Sequence, residues 1–180
     1  MATGSSAVLG VDVGTSSTKG VLVALDGTIL RSTVREHTVQ RPAPGHVEMD
    51  ARIWWDEFVA IAQELTAPAD VEVTAVGVSG MGPCVVLTDE AGTPVRPAIL
   101  YGVDTRAERQ ITHLTNVLGR EDIVAHCGAG LTSQAAGPKI TWVVQNEPEV
   151  YARTRRVFMP SSYLAFRLTG EYVLDHVSAS

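Results

Sequence analysis

Residues 7–30 read AVLGVDVGTSSTKGVLVALDGTIL: two β-branched apolar runs, a small-residue turn between them, and an Asp-Gly pair before a third run. Runs of this length and composition predict strands. Asp26-Gly27 predicts a tight reversal into TILRSTVREH, so the chain opens as an antiparallel meander. The first turn is longer than a minimal hairpin needs, and its residues are glycine and hydroxyl types. A turn that grips phosphate requires exposed N–H groups, little side-chain bulk and hydroxyl donors. Gly14 allows close backbone approach, Thr15, Ser16 and Ser17 carry hydroxyls, and Lys19 brings positive charge. Asp12 would repel a bare phosphate, yet it suits a hydrated Mg²⁺ that accompanies one. The competing reading is a Gly/Ser-rich hairpin turn whose N–H groups Asp12 accepts. This stretch alone leaves the two readings level.

Working outward, QRPAPGH (40–46) is a loop, and MDARIWWDEFVAIAQEL predicts a helix with Asp50 as N-cap. Trp54, Phe58, Ile61 and Leu65 recur at helical spacing and form a core-facing stripe. VTAVGVSG (73–80) is nearly all apolar, which predicts a parallel strand covered on both faces. Residues 84–100 read as strand, glycine turn and strand. From Thr105 the pattern turns helical, followed by a short strand RVFMP and a helix SSYLAFRLTG that ends at Gly170. Neither repeats nor low-complexity linkers interrupt the chain, so one mixed α/β domain over residues 1–180 is expected. GxxxxGK[ST] and GxGxxG are both missing, and a strand rather than a helix follows the turn. A phosphate turn inside a hairpin points to the actin-like, ribonuclease-H-like ATPase architecture.

The composition, 45% apolar and 19% charged, is that of a folded globular chain. A net charge of −6 gives no reason to expect nucleic acid or an anionic membrane as partner. The short cluster Arg153, Arg155, Arg156 reads as a solvated face. Cys84 and Cys127 have no metal-ligand spacing and read as free thiols, Cys84 as a buried apolar filler. No apolar stretch nears the roughly 20 residues of a membrane helix, and MATGSSAVLG lacks the features of a signal peptide. The expected location is cytoplasmic.

Three further stretches carry a resemblance. PGHVEMDARIWWDEF, VGVSGMGPCVVLTDEAGTPVRPAIL and NEPEVYARTRRVFMPSSYLAFRLTGEYVLDHVSAS, together with DVGTSSTKG, resemble in order and separation the FGGY family of carbohydrate kinases, nearest its xylulokinase-like members. The resemblance implies ATP- and Mg²⁺-dependent phosphorylation of a sugar hydroxyl, a pentulose such as xylulose, with this chain as the first of two domains. Asp12 matches the family's metal-proximal carboxylate; Gly14, Thr15, Ser16 and Ser17 match its phosphate turn, with Lys19 near a position that is often basic. Met81 and Gly82 fall on the substrate loop, where the expected Met-His pair is replaced. Asp104 and Arg106, in YGVDTR, are candidates for sugar contacts, with a helix N-cap and a solvated first-turn charge as the equal alternative. Gln134 either lines the cleft or fills a surface turn, and Lys139 reads as structural. The partners implied are the sugar, ATP and an absent C-terminal domain, with a homodimer left open. The family's general-base aspartate lies beyond this segment, so the isolated chain is expected to be inactive. The alternative is a non-catalytic actin-like module that binds a sugar or a partner.

Overall fold

The computed structural model describes residues 5–68, 71–176 and 178. In chain order the elements begin β1 (Ser5–Val13), β2 (Ser17–Ala24), β3 (Ile29–Glu36), β4 (Glu48–Met49), α1 (Ala51–Thr66) and β5 (Val71–Gly80). They continue β6 (Val86–Thr88), β7 (Ala98–Ile99), α2 (Glu108–Leu118), α3 (Arg120–Cys127), α4 (Ala136–Asn146), α5 (Pro148–Arg153), β8 (Arg156–Phe158) and α6 (Pro160–Thr169). Two compact units divide them: Met1–Thr38 with Arg52–Gly80, and Val39–Ala51 with Met81–Ser180.

The first unit contains the meander that the sequence predicts. β1 pairs antiparallel with β2 and β2 with β3, while β1 pairs in parallel with β5, giving the order β3-β2-β1-β5. Gly27 makes the second reversal at φ 91°, and the Asp26 carboxylate accepts the Thr28 N–H at 2.9 Å. Strand alternation sends Ala7, Leu9, Val11 and Val13 into the core together with Leu22. The stripe on α1 is buried as expected, with Trp54, Phe58, Ile61 and Leu65 all at 4% exposure or less. Burying each such side chain contributes about 1.5–3 kcal/mol. The helix lies so close that a Cβ on Gly20 would sit 2.1 Å from Ile61 Cγ2, which is why the middle of β2 is glycine.

β5 is parallel to β1, but it is not covered on both faces. It is the edge of the sheet, Val76 is 44% exposed, and a Cβ on Gly77 would meet nothing within 4 Å among the described residues. An apolar run fixes strand propensity without fixing how many layers the surrounding chain supplies.

In the second unit β4 pairs with β7, and β6 with β8. The 84–100 segment folds back through Gly92 at φ 83°, bridged at Val85–Ile99 and Thr88–Pro94. Val85, Leu87, Ile99 and Val143 make its buried centre, flanked by Ile140 and Val157. α6 stops at Gly170, left-handed at φ 78°, whose N–H returns to Phe166 O. Arg153 and Arg155 are exposed as expected of a solvated face, but Arg156 is half-buried. Its guanidinium lies 4.9 Å from the Phe166 ring centre and pairs with Glu90 at 2.7 Å. No helix among the described residues is long and apolar enough to cross a membrane.

Candidate functional site

Alternation in β1 decides what Asp12 can do. Val11 and Val13 point into the core, so Asp12 between them points to the opposite, solvent-facing side. Its register partners are Lys19 on β2 and Ser79 on β5. Ser79 donates its hydroxyl to Asp12 Oδ1 at 2.6 Å. The three side chains border an open cavity of about 440 Å³ whose floor is the paired Gly10 and Gly77. In the turn the Gly14 N–H donates to Ser17 O at 2.9 Å, and a Cβ on Gly14 would approach that oxygen to 3.0 Å. The Gly14 N–H is thus closed on the turn itself, while the carboxylate holds the Ser79 hydroxyl. Ser16, Ser17 and Lys19 line a second cavity of about 780 Å³ with Glu36, His37 and Thr38. Thr15 lies half-buried in the same turn. Lys19 belongs to the walls of both cavities.

Two residues that the sequence reading missed hold this turn in place. The backbone N–H of His37 donates to Ser16 O at 3.0 Å, and its Nε2 lies 3.1 Å from Gly14 O. A carbonyl only accepts, so Nε2 carries a hydrogen. Nδ1 lies 3.0 Å from Glu57 Oε2, the oxygen that also accepts the Thr18 hydroxyl. The two side chains are nearly buried, at 4% and 12% exposure. The turn's carbonyls are thereby tied to β3 and α1, the rigid parts of the unit. Only tertiary structure joins these residues; positions 37 and 57 share no helix face or strand. His37→Ala leaves the Glu57 carboxylate and the Gly14 carbonyl short of a donor. We expect a loss of about 1–3 kcal/mol in urea unfolding.

In the second unit Gly82 and Pro83 line a cavity of about 620 Å³ together with Thr132, Gln134 and Ala135. Gln134 is therefore a cavity residue as well as an exposed loop residue. Met81 is half-buried, and its carbonyl accepts the Cys84 thiol at 3.6 Å. Lys139 is buried as a structural residue, its Nζ donating to Ser133 O. Burial pushes the Lys139 pKa down and the Cys84 thiol up to about 12. Cys84 therefore stays a neutral, unreactive thiol through the physiological range, whereas Cys127 is exposed. Titration with a disulfide reagent should release one equivalent from the native protein segment and two after denaturation.

Asp104 and Arg106 sit elsewhere in the same unit, in a buried ion network. Both side chains are 0% exposed. Asp104 Oδ2 accepts the Val47 N–H at 2.6 Å and Arg106 Nη2 at 2.8 Å. Arg106 Nη1 reaches Glu48 at 2.7 Å; Glu48 also pairs with Arg96, which reaches Glu147 at 2.8 Å. Burial acts to lower the Arg106 pKa, but its bonds to Asp104 and Glu48 outweigh it and hold the value above the usual one. The alternative of a helix N-cap and a solvated first-turn charge does not describe them, since α2 starts after Ala107 and Arg106 is not solvated. Nor do they line the Gly82 cavity. The network ties the loop after β7 to β4.

Among the described residues no group of three or more His, Cys, Asp or Glu could hold a metal ion by itself. A lone exposed carboxylate still suits Mg²⁺, which keeps several waters and takes one or two protein carboxylates plus phosphate oxygens.

The antiparallel meander with a parallel fourth strand, helices and a hydroxyl-rich hairpin turn is an actin-like ATPase α/β architecture. The sequence profile of the FGGY family of carbohydrate kinases, N-terminal domain, matches residues 7–180, and the chain belongs to that family. It is 32% identical over 180 residues to a xylulose kinase of Lactococcus lactis, covering 96% of this chain and 35% of the relative. It is 35% identical to the xylulose kinase of Streptomyces rubiginosus, covering 96% and 36%. The crystal structure of xylulose kinase from Rhodospirillum rubrum superimposes with a TM-score of 0.91 at 34% identity, over 96% of this chain and 36% of that one. The chain thus spans about a third of the length of the relatives it matches.

Proposed function

We propose that this chain is the first domain of an ATP-dependent sugar kinase that phosphorylates a hydroxyl of a pentulose such as xylulose. The observation that carries the reading is Asp12: a solvent-facing carboxylate, steadied by Ser79, at the end of β1 where the glycine- and hydroxyl-rich turn begins. Family membership and relatives named xylulose kinases support the reaction class.

In this reading Thr15, Ser16 and Ser17 contact the phosphate oxygens of ATP, Gly14 shapes the turn so that the backbone can approach them, and Lys19 adds positive charge beside them. Asp12 holds Mg²⁺ through water, and the ion neutralises phosphate charge when bound. Phosphoryl transfer depends on positioning and charge neutralisation more than on covalent chemistry. The His37–Glu57 pair therefore contributes by fixing the turn before ATP arrives. Met81 and Gly82 face the sugar, with Gln134 on the same cavity wall. Asp104 and Arg106 act from behind, as the frame of the neighbouring loop. A C-terminal domain supplies the catalytic base, so the 180-residue chain alone is inactive.

The test is phosphate transfer by the full-length protein from ATP with Mg²⁺ across pentuloses, hexuloses and polyols. The reading expects a phosphorylated pentulose. No transfer to any of them contradicts it and favours a binding module.

A further inference from the structure

A fourth cavity lies within the second unit, apart from the Gly82 cavity. It has a volume of about 840 Å³ and is formed by the loop at His46, the start of α2 and the end of α4. We propose that it binds a small hydroxylated phosphate monoester, of the sugar phosphate class.

Three independent features of its wall select that chemistry. The first is a buried acceptor without a donor. Gln110 is 7% exposed, and its Nε2 donates to Gln145 Oε1 at 2.8 Å, linking α2 to α4. Its own Oε1 is buried and has no partner. An unpaired buried amide oxygen is costly, and a ligand hydroxyl or a side-chain shift that admits one relieves it.

The second is an uncapped helix start. The N-cap of α2 is Ala107, which provides no side-chain cap, so the first-turn N–H groups, those of Arg109 and Gln110 among them, lack a side-chain acceptor. Both residues line the cavity. Free N–H groups at a helix start favour an anion.

The third is charge. Arg106 is neutralised by Asp104 and Glu48, but Arg109 has no ion-pair partner among the described residues. His113 stands one turn further along α2, on the same helix face as Arg109. Glu108 is the acidic side chain on the lining. A guanidinium suits the paired oxygens of a phosphate.

The wall behind these groups is rigid. Arg106 lies 4.9 Å from the Trp142 ring centre, and His46 meets the same ring edge-on at 5.3 Å. Gly45, at φ 76°, packs so that a Cβ would come within 2.8 Å of Thr105 Oγ1. The loop is thus held at a fixed distance from α2.

The proposal does not rest on the kinase reading, and its test needs no ATP. Isothermal titration of the full-length protein with ribose 5-phosphate should give saturable binding. Inorganic phosphate and ribose should each bind about tenfold more weakly or less, because each lacks half of the recognised groups. Arg109→Ala, a change at an exposed position, should weaken ribose 5-phosphate by about tenfold or more without altering the melting temperature. Gln110→Leu should remove the advantage of ribose 5-phosphate over inorganic phosphate. Unchanged affinity in Arg109→Ala, equal affinity for inorganic phosphate, or no heat at millimolar ligand would each overturn the proposal. If Gln110→Leu fails to fold, Arg109→Ala decides alone.

Discussion

Asp12→Asn in the full-length protein should lower kcat by about two to three orders of magnitude, the scale on which loss of one preorganised electrostatic group is felt. The substitution keeps size and one oxygen for the Ser79 hydroxyl while removing the charge that would hold the metal. Asp12 faces solvent and makes no core contact, so the unfolding free energy should stay within about 0.5 kcal/mol of the wild type. Steady-state rates at saturating Mg²⁺, beside a thermal melt of the same sample, separate the two effects. A loss confined to KM would mean that the carboxylate binds the ground state and the transition state alike.

Arg106→Ala should destabilise the protein by about 3–5 kcal/mol, because it strands two carboxylates in the interior. Asp104 would keep only the backbone N–H groups of Val47 and of position 106, and Glu48 only Arg96. The Arg106 guanidinium would also vanish from the face of Trp142. Urea unfolding measures this directly. A residue that contacted sugar would behave otherwise, with a raised KM and unchanged stability. Lysine at this position should rescue little, since one ammonium cannot reproduce the two-sided fork to Asp104 and Glu48.

The opening meander was legible because its signals are local: β-branched runs, an Asp-Gly reversal and a turn too long for a plain hairpin. The α1 stripe was legible for the same reason, through its period. What escaped were features that depend on the number of layers and on distant partners. The run at 73–80 has the composition of a fully covered strand, yet it stands at a sheet edge. Asp104 and Arg106 look like loop polar residues in sequence. Their burial follows from Glu48, more than 50 positions away, which contributes a carboxylate to the same interior. The His37–Glu57 pair escaped for a related reason, since a strand end and a helix meet there only after the sheet has formed. Asp12 and the turn residues were readable as candidates because the chemistry of phosphate and of Mg²⁺ dictates residue types that sit next to one another in the chain.

The most direct measurement is the Mg²⁺ dependence of nucleotide affinity in the full-length protein, compared between the wild type and Asp12→Asn by calorimetry. Wild-type protein should bind ATP about tenfold or more tightly with Mg²⁺ than without it, and in Asp12→Asn most of that difference should disappear. An undiminished Mg²⁺ effect in the variant would contradict the assignment of the metal to Asp12.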